Sequence, residues 1–476
     1  MGENEANFVY CSELRLSNVK AFLPGTTLDL RRNGRPAAWT LVLGENGLGK
    51  TTLLQCLALM RPSLNVKQTD KTNARDPDRV EPALPQYEDD LLVELARVGD
   101  GLEVGIEAEF SIGRGLRSSE QVKGRGKWLA TSATYEIRKG DLSDFSFSKV
   151  QRKGFKPPLL VAYSAARHPP YSRSEVISDQ DDPTASLFNA EIELADAVQV
   201  LEDLDYVSLR EERAYWQKVE KEGGDPGKPR EPSKAETLYT SIKGAIARIL
   251  PDVGDPALIH VYGPALPGET EKKTGVWIET YSGEIPLHAL SIGYQTMFAW
   301  TVDLARRMAE HHKEAMDPLR EPAIVLIDEL DLHLHPKWQR RVRSDLSAVF
   351  PQVQFVVTTH SPVLAQTYLD TNIAVVMREG DHATIDNDPK AVRSWRLDQV
   401  SVSLLHDPNP YAPEIVDAFE TRRELLGKKG LSADETSRLD KANALVAEIP
   451  AEGDEEDRKA ADLIREAAQL LATRQR

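Results

Sequence analysis

Residues 44–51, GENGLGKT, set three glycines, a lysine and a threonine in the spacing G-x-x-x-x-G-K-[ST]. Gly44, Gly47 and Gly49 let a loop turn successive backbone N–H groups toward an anion, and a helix starting there adds the positive end of its dipole. In that arrangement Lys50 reaches the β- and γ-phosphates of a nucleotide and Thr51 holds Mg2+. Glu45, Asn46, Leu48 and Thr52 complete the predicted nucleotide-binding stretch. The matching carboxylates come far down the chain, in PAIVLIDELDLHLHP. Asp328 and Glu329 follow the apolar run Ala323 to Ile327, at the carboxyl end of a strand, where α/β sheets present ligands. Asp328 is expected to hold Mg2+ through its water shell and Glu329 to polarise the attacking water as general base. VQFVVTTHS delivers His360 to a third strand end. A lone histidine is more often a structural group, but this placement favours a γ-phosphate contact.

The elements that must position these groups are legible in the pattern around them. Apolar residues alternate at Leu14 and Leu16 and again at Leu28 and Leu30, then run continuously through Trp39 to Leu43, which predicts strands leading into the loop. After it Leu53, Leu54, Leu57, Ala58 and Met60 form one helical face that stops before Pro62. LLVELARVG, LEVGIEAEFSIG and WLATSATYEIRKG read as antiparallel strands joined by Gly-containing turns. Residues 185–250 read as two helices around the linker EGGDPGKPREPS, the first thirty-odd residues long, or roughly 50 Å. A helix is expected from Pro336 to Phe350. Near the end PEIVDAFETRRELLG, a segment capped by Ser432 with Glu435, and EEDRKAADLIREAAQLLATRQR predict three amphipathic helices.

A compact P-loop fold would bring in its acidic strand sooner, so the interval holds one or two insertions. Just before that strand LSIGYQ, Leu290 to Gln295, resembles the ABC signature LSGGQ of SMC, RecF and transporter heads. Carried over to the matching positions, Ser291 and Gly293 would cap the γ-phosphate bound at Lys50 of a second subunit, so that ATP closes a homodimer, with higher oligomers open. Ile292 and Tyr294 depart from the usual glycines, which fits RecF-like ATPases better than transporters. LRLSNVKAF, VAYSAARHP, LSIGYQ, LIDELDLHLHPKWQRR and FVVTTHSPVL, in that order, resemble a prokaryotic group of ABC-type ATPases that includes the PtuA-like proteins of Septu antiphage systems and retron-linked ATPases. The resemblance implies an α/β, ABC-type P-loop ATPase head with a mixed sheet, an antiparallel β-subdomain, a helical insertion and C-terminal helices. The corresponding divisions are residues 10–180, 185–250, 255–400 and 411–476. It also implies that Asp331 is the D-loop residue coupling the two sites, that His360 is the switch histidine, and that Tyr163 and Arg167 lie near the nucleotide. ATP and Mg2+ are the implied cofactors.

Composition narrows the partners. The formal charge of −16 argues against a chain coated in nucleic-acid-binding charge, although a local basic strip is compatible with it. With Cys11 and Cys56 as its two cysteines, the chain has neither a disulfide framework nor a cysteine-based zinc site, and a reducing cytoplasm is expected. The start MGENEANFVYC lacks a leader pattern, and no stretch is apolar enough to span a membrane. His333 and His335 lack the further ligands a zinc site needs and belong to the turn after the acidic strand. The helical insertion is far too short for an SMC arm. The leading expectation is therefore an ATPase subunit that controls a separate effector nuclease in antiphage defence, HNH type first and TOPRIM type second. A RecF-like repair ATPase acting on DNA, or an ATP-binding scaffold with little hydrolysis, is the alternative.

Overall fold

A computed structural model of the chain describes residues 8–64, 79–84, 89–97, 102–113, 116, 128–138, 141–151, 155–167, 182–189, 191–192, 194–222, 230–251, 253–263, 273–367, 371–389, 413–426, 428 and 430–447. The chain divides into two compact units, residues 1–400 and 401–476.

The first unit is built on a six-stranded sheet in the order Leu160–Tyr163, Ala323–Ile327, Val353–Thr359, Trp39–Gly44, Asn372–Glu379, His382–Asp386. The first five strands run parallel and the last antiparallel, so the sheet is mixed. A parallel sheet is covered on both faces, and every residue of Trp39–Gly44, Ala323–Ile327 and Val353–Thr359 is buried. Side chains alternate between those faces. Ile324 and Leu326 pack with Leu53, Leu57 and Val356 under the helix Lys50–Leu59. Val325 and Ile327 pack with Phe298, Trp338 and Phe355 beneath the helices Ile292–His311 and Pro336–Val349. Strand order resolves the long sequence interval. Val353–Thr359 lies between the other two strands, with Val357 opposite both Ile327 and Leu41, so the loop, the acids and His360 all follow strands that end at one edge of the sheet.

A second, antiparallel sheet takes the order Asp141–Phe147, Trp128–Arg138, Glu103–Gly113, Phe8–Ser17, Thr26–Asp29. Its inward row, with Leu14, Leu16, Val104, Ile106, Ala108 and Phe110 among it, shares one core with the Lys50–Leu59 helix. This is the β-subdomain that the alternation predicts, with one correction. LLVELARVG is not a strand: Asp89–Leu95 is helical, with Leu92 and Leu95 buried one turn apart, and Ala96 makes an isolated bridge to Val19. The spacing of those leucines fits a helical face as well as a strand, and packing against the core selects the helix.

The helical insertion is also shorter than the sequence pattern suggests. Its first helix is Ala197–Glu222, 26 residues, or roughly 40 Å at 1.5 Å per residue. It begins where Asp196 accepts hydrogen bonds from the backbone N–H groups of Val198 and Gln199, a side-chain cap that apolar periodicity alone does not reveal. Ser233 caps the second helix, Lys234–Ile249. A three-stranded sheet of Ile259–Tyr262, Gly275–Thr280 and Gly283–Pro286 then leads to Ser291.

In the second unit the described helices are Pro413–Leu425 and Ala433–Ala447. The predicted capping box forms: Ser432 Oγ accepts from Glu435 N at 3.3 Å, while the Glu435 carboxylate accepts from Ser432 N at 2.9 Å. The third predicted helix lies outside the described residues.

Candidate functional site

The loop after Trp39–Gly44 requires glycine for two separate reasons. Gly44 has φ +150, and a Cβ there would lie 2.5 Å from the Val376 carbonyl oxygen; at Gly49, φ +93, it would lie 2.8 Å from the Phe22 ring. Gly47 stands in open space but has φ +79, so there the backbone conformation itself favours glycine. Gly49 is the N-cap of the Lys50–Leu59 helix, and the Lys50 ammonium folds back over the loop to donate to Gly44 O at 2.9 Å and Glu45 O at 2.8 Å. Burial lowers the pKa of that ammonium, against the pull of Asp328, Glu329, Asp331 and Glu45. Asn46 is exposed, Leu48 leans on the core beneath the loop, and Thr52 is buried.

The acidic corner is joined to the loop directly. Thr51 Oγ1 donates to Asp328 Oδ2 at 2.8 Å, and Thr358 Oγ1 donates to the other oxygen, Oδ1. The same Thr358 oxygen accepts from Glu329 N at 2.8 Å. Glu329 has φ +49, a left-handed conformation that costs a non-glycine residue about 1–2 kcal/mol. Two residues on, Asp331 Oδ1 accepts from Thr359 Oγ1 at 2.5 Å. His335 caps the Pro336–Val349 helix through Nδ1, and His333, at φ +66, shapes the turn before it.

His360 follows directly on the strand and is half-buried, and its Nε2 is buried with no hydrogen-bond partner. Burial first, and then the Lys50 charge, lower its pKa, while Asp331, Glu329 and Asp328 oppose them. The imidazole is thus a polar group held in the crevice without an internal partner.

The signature stretch stands apart from these groups in chemistry. Ser291 is the N-cap of the Ile292–His311 helix, with extended φ −61 and ψ 153, yet its hydroxyl makes no capping bond. Ser233, with nearly the same backbone, φ −71 and ψ 167, does cap its helix. Ser291 is exposed, and Ile292 beside it is 39 % exposed. Gly293 is buried; a Cβ there would meet the His333 carbonyl oxygen at 2.5 Å, so the helix start packs directly on the turn that follows the acids. Gln295 Nε2 ties the entry back to Leu290 O at 2.7 Å.

Tyr163 and Arg167 have different surroundings. The Tyr163 hydroxyl donates to Asp303 Oδ2 at 2.9 Å inside the core, away from the loop's own hydrogen bonds. Arg167 donates to main-chain oxygens, Nη1 to Asp328 at 3.0 Å and Nη2 to Glu329 at 2.8 Å. Burial lowers its guanidinium pKa to about 10, with Asp328, Asp331 and Glu329 opposing. Sequence reasoning missed Thr358 and Thr359 altogether. The two hydroxyls stood in view inside VQFVVTTHS, immediately before the histidine, and two adjacent hydroxyls at the end of an otherwise apolar buried strand were the available signal.

The donor set fits Mg2+ and a phosphate chain. Asp328 and Thr51 offer hard oxygens to a magnesium ion, while Lys50, the loop N–H groups and the unpartnered His360 nitrogen suit phosphate oxygens. Fold and site together define an α/β domain with a glycine-rich phosphate-binding loop at the carboxyl edge of a largely parallel sheet. Residues 40–365, more than half of the chain, match the family described as "AAA domain, putative AbiEii toxin, Type IV TA system", and the chain belongs to that family. It is similar to the retron Vc95 probable ATPase of Vibrio cholerae, 42% identical over 93 residues, 20% of this chain and 18% of that protein. It is also similar to the Septu protein PtuA of Bacillus mycoides, 32% identical over 137 residues, 28% of this chain and 19% of the other. These matches thus span under a fifth of each relative. Among solved structures an Smc head bound to the C-winged helix domain of ScpA aligns over 79% of this chain and 97% of its own, with 13% identity and a TM-score of 0.39. Among the described residues no helix is long and apolar enough to cross a membrane.

Proposed function

We propose that this chain is the ATP-binding and ATP-hydrolysing subunit of a prokaryotic antiphage defence system, closing into a homodimer around ATP and controlling a separate effector nuclease. The observation that carries the reading is the contrast between a complete acidic corner and an idle signature serine. Lys50, Thr51, Asp328 and Glu329 meet within one chain, whereas Ser291 occupies a capping position without capping and faces solvent. A helix N-terminus with a free hydroxyl suits a γ-phosphate held by a second copy.

In this reading the loop N–H groups and Lys50 bind and orient the phosphates, and Thr51 and Asp328 hold Mg2+. When bound, Mg2+ would draw charge from the phosphate oxygens. Glu329 accepts the proton of the attacking water, His360 Nε2 fixes the γ-phosphate, and Asp331 couples the two sites. Ser291 and Gly293 of the second copy exclude water and complete the cage. The retron and Septu names of the similar proteins support the defence setting, with an HNH nuclease as the first partner to test, a TOPRIM nuclease as the second, and DNA as a candidate ligand of the dimer.

Steady-state hydrolysis with Mg2+ tests the enzyme reading. Removing a general base costs about 10²–10⁴-fold, so Glu329→Gln is expected to lose turnover by that factor while still binding ATP. A Glu329→Gln protein that hydrolyses like the wild type would sink the assignment. Coexpression with candidate nucleases tests the partner: toxicity that depends on both chains supports the reading, and tight DNA binding without any nuclease dependence favours direct action on DNA.

A further inference from the structure

The Asp328–Glu329 peptide is held from two sides by side chains that come from neighbouring strands. Arg167 follows the strand Leu160–Tyr163, which pairs with Ala323–Ile327 on one flank, and Thr358 lies in Val353–Thr359 on the other. Arg167 is 5 % exposed, and both of its terminal nitrogens go to consecutive main-chain oxygens, those of Asp328 and Glu329, rather than to a carboxylate. Thr358 uses one oxygen twice, donating to the Asp328 carboxylate and accepting from Glu329 N. The residue between these grips, Glu329, has φ +49, a conformation that a glutamate adopts only where its surroundings impose it. Asp328, Glu329 and Asp331 also crowd three carboxylates into one turn, and the buried guanidinium supplies a nearby positive charge.

We propose that Arg167 and Thr358 are positioning residues for hydrolysis: together they clamp the Asp328–Glu329 peptide in its left-handed turn, so that Glu329 is aimed into the crevice while Asp328 stays shared with Thr51. Arg167 then acts through the peptide, not on the nucleotide. The inference rests on the hydrolytic reading above. It assigns the geometry of the base to a fork that needs two parallel N–H donors, which lysine cannot reproduce.

The test uses the full chain and the variants Arg167→Lys, Arg167→Gln, Thr358→Val and Thr358→Ser, with hydrolysis, thermal unfolding, and affinity for a fluorescent ATP analogue measured with and without Mg2+. Arg167→Lys and Thr358→Val are expected to lower kcat about a hundredfold, with KM and metal-free affinity within about threefold of wild type. Thr358→Ser, which keeps the hydroxyl, is expected to recover most of the loss. Should Arg167→Gln unfold, Arg167→Lys carries the test because it keeps charge and length. Metal-free affinity falling in parallel with kcat in a folded Arg167→Lys protein would make Arg167 a nucleotide contact and overturn the clamp, as would full turnover in Thr358→Val. A wild type whose turnover is indifferent to Glu329→Gln sinks the hydrolytic reading instead. The clamp is then judged on the gain in affinity that Mg2+ confers: it should shrink in Thr358→Val and return in Thr358→Ser, and an unchanged gain contradicts it.

Discussion

The acidic corner and the signature edge lie a few residues apart in the packing and are built on opposite terms. In the corner several polar groups answer one another: Asp328 accepts from Thr51 and Thr358, Asp331 from Thr359, and the peptide oxygens of Asp328 and Glu329 from Arg167. At the edge Ser291 keeps a free hydroxyl and Ile292 presents an apolar side chain to solvent. Such satisfaction fixes a geometry, whereas the Ser291 hydroxyl is left free to meet solvent or a ligand. The two regions touch where Gly293 packs against the His333 carbonyl and where the Tyr294 ring meets Trp338.

Three substitutions are expected to act with decreasing effect. On the proposed reading Glu329→Gln is expected to lower turnover by about 10²–10⁴-fold and to leave the edge intact, as steady-state hydrolysis would report. Gly293→Ala places a methyl where 2.5 Å separates it from the His333 oxygen, so helix start or turn must shift, at a cost of about 1–3 kcal/mol. Thermal unfolding should report that loss, and nucleotide-dependent association should weaken with it; an alanine variant with wild-type stability and association would show that the contact transmits nothing. In the second unit, Ser432→Ala removes a capping box that forms as the sequence predicts, and should cost the helix Ala433–Ala447 about 1 kcal/mol, seen as a small fall in helicity or unfolding midpoint. No change in hydrolysis should accompany it.

The parts of the site that were legible in the sequence are those whose chemistry requires a residue type at a fixed spacing. GENGLGKT, the strand Ala323–Ile327 with its two acids, and the helix of Pro336–Val349 could be read because glycine, lysine and a buried apolar run leave few alternatives. The sheet order could not be read, and it is the order that brings Val353–Thr359 between the other two strands and makes Thr358 a shared partner. Arg167 illustrates the same limit. Its position after an apolar strand suggested a residue near the nucleotide, and only tertiary packing shows that its partners are the peptide oxygens of Asp328 and Glu329. Leu92 and Leu95 were misread because a short apolar stretch fits either period, and burial against the core decided for the helix.

If Ser291 of a second copy completes the site, nucleotide must change the mass of the protein in solution. Glu329→Gln protein with ATP and Mg2+ should have twice the one-chain mass, and the same protein carrying Ser291→Arg should remain a single chain under identical conditions. A Glu329→Gln protein that binds ATP yet stays a single chain, or one whose dimer survives Ser291→Arg unchanged, would contradict the account.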